Sequence, residues 1–225
     1  GHIPGAQYVH LDHDLAGPVT SSTGRHPLPD PEQLARRLGE LGVGNDSQVV
    51  TYDQGNGMYA SRAWFLLRWL GHTRVAVLDG GWAAWLTSGR QVESRAIQPL
   101  AQQFVGRVAV GAIATSADVE IARAGELELV VDARGADRFA GQNETIDTTA
   151  GHVPGAVNHP FTRNLNAAGS LLDRGTLRSH WLTTLGKRSP SQMIAMCGSG
   201  VSACHNLLAL EHAGQHHMLH VERAD

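Results

Sequence analysis

The chain has 225 residues, of which 42% are apolar and 17% are charged, and its formal net charge is -3 with histidine neutral. This composition is typical of a globular protein with one large domain or two small ones. It has no block of like charges and no apolar run long enough to span a bilayer, so neither nucleic acid nor a membrane is expected as a partner.

Amphipathic segments alternate with short apolar runs along the chain, which predicts parallel sheets with helices on both faces. In such sheets, ligands bind beyond the carboxyl ends of the strands. Residues 94–111 contain Pro99 and no sustained period, so they are predicted to be a linker, with a domain boundary near residue 105. Helices are predicted at 31–41, 60–70, 116–124, 176–185 and 203–212, and strands at 49–53, 75–78, 127–131 and 192–196.

The sequence also repeats itself. Residues 1–6, Gly-His-Ile-Pro-Gly-Ala, recur at 151–156 with one conservative change. The apolar runs 49–53 and 193–197 are each followed by a Gly-rich turn and a helical pattern. This repetition predicts two copies of one α/β unit, at residues 1–105 and 106–225.

The most informative loop is residues 197–203, Cys-Gly-Ser-Gly-Val-Ser-Ala, between an apolar run and a helix. Gly198 and Gly200 permit conformations that aim successive N–H groups at one point, and the helix adds its positive dipole end. Both effects favour a thiolate, so Cys197 is predicted to be a nucleophile. Cys204 lies beside Leu207 and is predicted to pack in the core, the alternative being a regulatory disulfide with Cys197.

Two observations predict a cytoplasmic location. The only cysteines, Cys197 and Cys204, are too close in sequence to form a disulfide framework, which favours a reducing compartment. The first residues contain neither the basic nor the apolar region of a secretory signal.

The repeated Gly-His-Ile/Val-Pro-Gly-Ala motif, the strand ending Val-Val-Asp-Ala-Arg at 130–134 and the Cys197 loop resemble the tandem-rhodanese sulfurtransferases. The resemblance extends over nearly the whole chain. It implies an α/β fold of two rhodanese-like domains, with Asp53 in the cysteine position of a silent N-terminal domain. It also implies that Cys197 carries sulfur as a persulfide in an active site between the domains. No cofactor and no metal are expected.

The resemblance also bears on the sulfur donor. Members that use thiosulfate carry a basic residue directly after the cysteine, whereas the loop here resembles that of members that use 3-mercaptopyruvate. A compact dianion gains from a cation beside the sulfur, while mercaptopyruvate presents a thiol and a distant carboxylate. The acceptor is expected to be a small thiol, thioredoxin or cyanide. The residues predicted to cradle the donor are Gly198, Gly200, Val201, Ser202 and Ala203.

The resemblance further implies a proton-handling group of Ser199, His26 and Asp12. In this arrangement Asp12 orients His26, and His26 moves protons through Ser199. Arg138 falls where the family places an arginine for the substrate carboxylate, the alternative being a surface ion pair with Asp137 or Glu144. The family's second arginine has no counterpart, since residues 143–148 read Asn-Glu-Thr-Ile-Asp-Thr.

Three other interpretations are weaker. A cysteine phosphatase needs an arginine at the end of its loop, where this chain has Ala203. A metal site at His212, His216, His217 and His220 lacks supporting carboxylates or thiolates. A non-catalytic sulfur carrier or interaction module is the main alternative. Family members normally carry another strand and helix before the first repeat motif and a further segment after the last strand, so both domains are expected to be truncated at a chain end.

Overall fold

The computed structural model describes residues 1–125, 127–215 and 221–222. Helices and parallel strands alternate, as the sequence predicts, and two 3₁₀ turns lie at Phe161–Asn164 and Pro190–Gln192. The helices are α1 (Leu11–Asp14), α2 (Pro31–Glu40), α3 (Met58–Trp69), α4 (Gly81–Thr87), α5 (Ser116–Ala124), α6 (Ala136–Phe139), α7 (Arg174–Leu185) and α8 (Val201–His212). The strands are β1 (Val49–Thr51), β2 (Val75–Val77), β3 (Ile113–Ala114), β4 (Leu129–Asp132), β5 (Val157–Asn158), β6 (Met193–Met196) and β7 (Val221–Glu222).

The strands form two parallel sheets, one from each half of the chain. In the first half β1 pairs with β2, and in the second half the order is β3-β7-β6-β4-β5. Every residue of β4 and β6 is buried. Continuous burial is typical of central parallel strands that are covered by helices on both faces.

Local signals account for where the helices begin. The carboxylate of Asp30 accepts the N–H groups of Glu32 and Gln33 at the start of α2, and Pro31 occupies its first turn. Thr115 and Asp118 form a capping box at the start of α5. The observed bounds of α2, α3, α5, α7 and α8 lie within two residues of the predicted ones at each end.

The two halves share one hydrophobic core. The helices that follow the two equivalent loops, α3 and α8, pack against each other, and most of their residues are buried. Phe65 of α3 and Leu207 of α8 are both fully buried in the same cluster. The packing of these two helices therefore brings the loops of the two halves close to each other.

The predicted linker has no helix or strand, as expected for 94–111. It is nevertheless anchored to the first half, because the N–H groups of Arg107 and Ala109 donate to the carbonyls of Leu70 and Trp69, both at 2.8 Å. Phe104 is buried in the core. The boundary near residue 105 remains a prediction.

Within the described residues, no helix is both long enough and apolar enough to cross a lipid bilayer.

Candidate active site

The register of the second sheet sets the position of Cys197. Asp132 at the end of β4 is the Cα partner of Met196 at the end of β6, and the next N–H, of Ala133, donates to the Met196 carbonyl at 2.9 Å. Cys197 and Arg134 therefore leave the same edge of the sheet from adjacent strands. This is the carboxyl edge, where the sequence predicted a ligand site.

Cys197 is largely buried and opens into a cavity of about 610 Å³. Gly200 takes the left-handed conformation, with φ of 70°, and α8 begins at the next residue. Val201 and Ala203 are buried, and Ser202 is half-buried. The loop residues that line the cavity are Cys197 and Gly198.

Gly198 is more closely packed than the sequence predicts. Its φ is not positive. Instead, a Cβ at this position would lie 2.6 Å from the Asp147 Oδ2 atom and 2.9 Å from the Arg25 Nη2 atom. A larger residue here would require the ends of the Arg25 and Asp147 side chains to shift, because this ion pair from two distant segments packs directly against the loop.

Asp12 and His26, predicted to act together, form a pair with 3.0 Å between Oδ1 and Nε2. Burial lowers the pKa of His26, although the neighbouring Asp12 carboxylate opposes this and the charges of Arg62 and Arg25 reinforce it. The Nδ1 atom of His26 is buried and has no hydrogen-bond partner among the described residues. Among the residues that the structure describes, no hydrogen bond joins His26 to Ser199, which is itself buried.

Arg62 of α3 ties the His26 segment to the Cys197 loop. Its guanidinium is almost fully buried and donates to the carbonyls of Leu15 at 3.3 Å, His26 at 3.2 Å and Gly200 at 3.5 Å. No carboxylate of the described residues pairs with it. Arg62 therefore fixes the distance between the two segments through their backbones.

Arg138 is engaged in ion pairs. Its Nε atom donates to Glu144 at 2.9 Å and its Nη2 atom to Asp147 at 2.6 Å, so the pairing with Glu144 weighed from the sequence is present. The Arg138 hydrogen bond is the main cause that lowers the pKa of Glu144 to about 2, and the N–H of Asp147 adds to it. Arg134 is more deeply buried than Arg138, and its Nη2 atom donates to the Asp132 carboxylate at 2.7 Å.

Comparisons with known proteins agree on one family. The family model "Rhodanese-like domain" matches residues 1–88. The "Probable 3-mercaptopyruvate sulfurtransferase" of Pseudomonas aeruginosa is 44% identical over 216 residues, which cover 95% of this chain and 76% of that protein. The "Thiosulfate sulfurtransferase" of Gallus gallus is 33% identical over 92% of this chain and 71% of its own length. The crystal structure of SseA from Escherichia coli, described as a rhodanese-fold protein, superimposes with a TM-score of 0.84 at 32% identity, covering 99% of this chain and 81% of SseA.

The chain belongs to the rhodanese-like sulfurtransferases. The prediction of that family and of its α/β fold is confirmed, as is sulfur transfer as the activity. The non-catalytic alternative is not favoured. A sulfurtransferase takes sulfur from a donor and passes it to a thiol or cyanide acceptor.

The equivalent loop of the first half of the sulfurtransferase contains its own anion. The Asp53 carboxylate accepts four backbone N–H groups: Oδ1 bonds to Gly55 and Gly57, both at 3.0 Å, and Oδ2 to Tyr59 at 2.9 Å and Ala60 at 3.2 Å. The donors at the start of α3 are therefore satisfied internally. The silent role that the resemblance implies for the first half stays a prediction.

The second cysteine of the sulfurtransferase packs in the core, as predicted. Cys204 is fully buried, and burial raises the pKa of its thiol to about 12. Its Sγ atom donates to the Gly200 carbonyl at 3.0 Å. Both cysteines are unpaired.

Two residues of the cavity, Arg25 and Asp147, are not singled out by any pattern in the sequence. Arg25 adjoins His26, and Asp147 lies in the stretch where the family's second arginine is missing. They are 122 positions apart and meet only in the folded chain. The described residues contain no cluster that could hold a metal ion. Three of the histidines considered and set aside as a metal site, His216, His217 and His220, lie outside those residues.

Proposed function

We propose that this sulfurtransferase uses 3-mercaptopyruvate as donor and carries its sulfur as a persulfide on Cys197. The main support is the charge around the loop, whose own side chains from Gly198 to Ala203 are neutral. The three arginines at or beside the cavity, Arg25, Arg134 and Arg138, are balanced by the three carboxylates of Asp132, Glu144 and Asp147. Arg62 is a further cation near the loop, but it is buried and its guanidinium is bound to backbone carbonyls. A compact dianion such as thiosulfate therefore meets little unbalanced positive charge in the cavity, whereas a neutral thiol beside Cys197 loses little there.

The transfer involves two substitutions at sulfur, one in each half-reaction. The Cys197 thiolate attacks the donor sulfur, the carbon–sulfur bond breaks, and its electron pair leaves as the enolate of pyruvate. A proton then converts the enolate to pyruvate, and the enzyme retains a Cys197 persulfide. In the second half-reaction a thiol acceptor, such as thioredoxin or a small thiol, or cyanide attacks the outer sulfur and restores the thiolate.

We assign the proton transfer to His26. Burial keeps its imidazole neutral near pH 7, so it can accept a proton from the donor thiol and return it to the enolate. Asp12 orients the ring from Nε2, which leaves Nδ1 for the reaction. We assign the relay between Nδ1 and the substrate to Ser199, whose hydroxyl would form its hydrogen bond to Nδ1 only when the substrate is bound.

We propose that Arg138 binds the carboxylate of the donor, because its guanidinium suits bidentate binding of a carboxylate.

We also propose that residues 1–105 and 106–225 are the two domains. A reducing compartment such as the cytoplasm is proposed as the location, since both cysteines are unpaired.

The first test is direct observation of the persulfide. The protein is incubated with 3-mercaptopyruvate and, separately, with thiosulfate, and intact mass spectrometry is used to detect one added sulfur. We expect the adduct with 3-mercaptopyruvate and its complete loss in Cys197→Ser, while Cys204→Ser keeps it. No added sulfur from either donor contradicts the proposal, and an adduct from thiosulfate alone contradicts the choice of donor.

A further inference from the structure

The side chain of Asp147 lies between two arginines that come from opposite halves of the chain. One carboxylate oxygen bonds to the Arg25 Nη1 atom, and the other bonds to the Arg138 Nη2 atom at 2.6 Å. A third arginine, Arg134, places its Nη1 atom 3.7 Å from the same Oδ2 atom. The Asp147 carboxylate therefore occupies an anion site formed by side chains of both halves.

This anion site adjoins the reactive cysteine. Arg25, Asp147 and Cys197 line the same cavity. The Asp147 and Arg25 side chains approach Gly198, the residue after Cys197, so closely that a Cβ there would overlap both. An anion bound in place of the Asp147 carboxylate would therefore lie beside the cysteine loop.

Asp147 is held in place by its own segment as well. One Glu144 oxygen accepts the N–H groups of Ile146 and Asp147, both at 2.9 Å, and the other binds Arg138. The Glu144 side chain is almost fully buried, whereas the Asp147 side chain is 22% exposed. Glu144 thus fixes the backbone, and Asp147 is the more exposed of the two carboxylates.

We propose that Asp147 is an internal anion that occupies the site formed by Arg25 and Arg138 and is displaced by the carboxylate of an incoming ligand. The inference rests on the proposed function in taking that ligand to be an anionic sulfur donor. It adds Arg25 as the second cation of the site. A ligand monocarboxylate exchanges with Asp147 one for one, without changing the number of ion pairs at the arginines.

The exchange makes Asp147 a determinant of anion selectivity. With Asp147 in place, an anion must compete with a tethered carboxylate, which a small dianion such as thiosulfate cannot replace without excess negative charge. Without the Asp147 charge, Arg25 at the cavity loses its carboxylate partner and Arg138 keeps only Glu144, so the site carries excess positive charge and attracts any anion. Asp147→Asn should therefore raise kcat/KM for thiosulfate relative to that for 3-mercaptopyruvate.

Alkylation of Cys197 tests the site independently of sulfur transfer. Iodoacetate and iodoacetamide react in the same way, with the thiolate displacing iodide and forming a carbon–sulfur bond, but only iodoacetate carries a carboxylate. The ratio of the two rates thus reports the potential at the anion site, and the buried Cys204 does not contribute. We expect Asp147→Asn to raise the ratio about fivefold and Arg25→Gln to lower it by a similar factor, as for a partly exposed ion pair.

Matched variants separate charge from loss of structure. The pair Arg37 and Asp14, with 2.7 Å between Nε and Oδ1, lies outside the cavity, so Arg37→Gln and Asp14→Asn should leave the ratio unchanged. Asp147→Glu keeps the charge and should retain the wild-type ratio. If Asp147→Asn leaves the ratio unchanged, the inference is wrong. Equal acceleration of both reagents would be such a case, and it would show that the residue is only structural. A shifted ratio in a protein that forms no persulfide supports the internal anion and overturns the proposed function alone.

Discussion

The Asp12 and His26 pair gives the site its pH dependence. Burial lowers the pKa of His26 from its ordinary value of 6.5, and Asp12 is the group that raises it. If the neutral ring is the base, turnover of 3-mercaptopyruvate should stay level from pH 7 to 6.5 and fall only at lower pH. Asp12→Asn removes the raising influence, so the acidic limb should move to still lower pH, and kcat should drop roughly tenfold or more because the ring loses its orientation.

The measurement is kcat against pH for the wild type and for Asp12→Asn. Asp14→Asn on the same short helix is the control, since Asp14 pairs with Arg37 and not with His26. An acidic limb that stays in place, or moves to higher pH, in Asp12→Asn would exclude His26 as its source.

Ser199→Ala should slow turnover of 3-mercaptopyruvate far more than that of thiosulfate, and equal effects on both donors would argue against the relay.

At the scale of the elements, α3 and α8 begin in the same way but hold different groups at their N-termini. The loop before α3 is filled by the Asp53 carboxylate, while the loop before α8 carries a cysteine at the edge of a cavity. Asp53→Asn replaces one acceptor oxygen with an NH₂ group that opposes backbone donors. We expect the free energy of unfolding to fall by about 2 kcal/mol, the value of charge-assisted hydrogen bonds lost from a half-buried site.

Urea denaturation measures this loss. Asp46→Asn is the matched control, because Asp46 is exposed and should change the stability by less than about 0.5 kcal/mol. Equal stability of Asp53→Asn and the wild type would show that the carboxylate does not stabilise its loop.

The same elements show which features the sequence could predict. Helix ends depend on neighbours in the chain: Asp30 caps α2 and the left-handed Gly71, with φ of 80°, follows α3, so both boundaries follow from local patterns. The ion pair of Arg25 and Asp147 depends on the packing of two distant segments, which no local pattern encodes. The close approach of that pair to Gly198 likewise could not be predicted from the general properties of glycine in a turn.

At the scale of the whole molecule, a buried polar network joins α8 to the segment of residues 159–164. His159 bonds through Nε2 to Asn164 at 3.1 Å, Asn164 to Asn206 at 2.8 Å, and Asn206 to the His159 carbonyl at 2.8 Å. His205 extends the network across the two halves, because its Nε2 atom bonds to the Asn56 carbonyl at 3.1 Å. All four side chains of the network proper, His159, Asn164, His205 and Asn206, are buried.

This network predicts a loss of stability in acid. Burial lowers the pKa of both His159 and His205 to about 4. Above pH 6.5 the folded and unfolded chains both keep these rings neutral, so stability is unaffected. Between pH 6.5 and 4 the unfolded chain binds protons that the folded chain does not, so the free energy of unfolding should fall by roughly 3 kcal/mol for each ring, with no further loss from these groups below pH 4.

Urea denaturation at several pH values between 7 and 4 measures the slope. His159→Gln should remove about half of the part due to these two rings, whereas His13→Gln, at an exposed position, should leave the slope unchanged. If His159→Gln keeps the full slope, His159 is not a source of the acid sensitivity. Protonation of His205 keeps the Nε2–H bond to the Asn56 carbonyl and instead turns Nδ1 into a donor that faces the amide nitrogen of Asn164, so the acid sensitivity of this ring arises inside the network and not at the contact between the two halves.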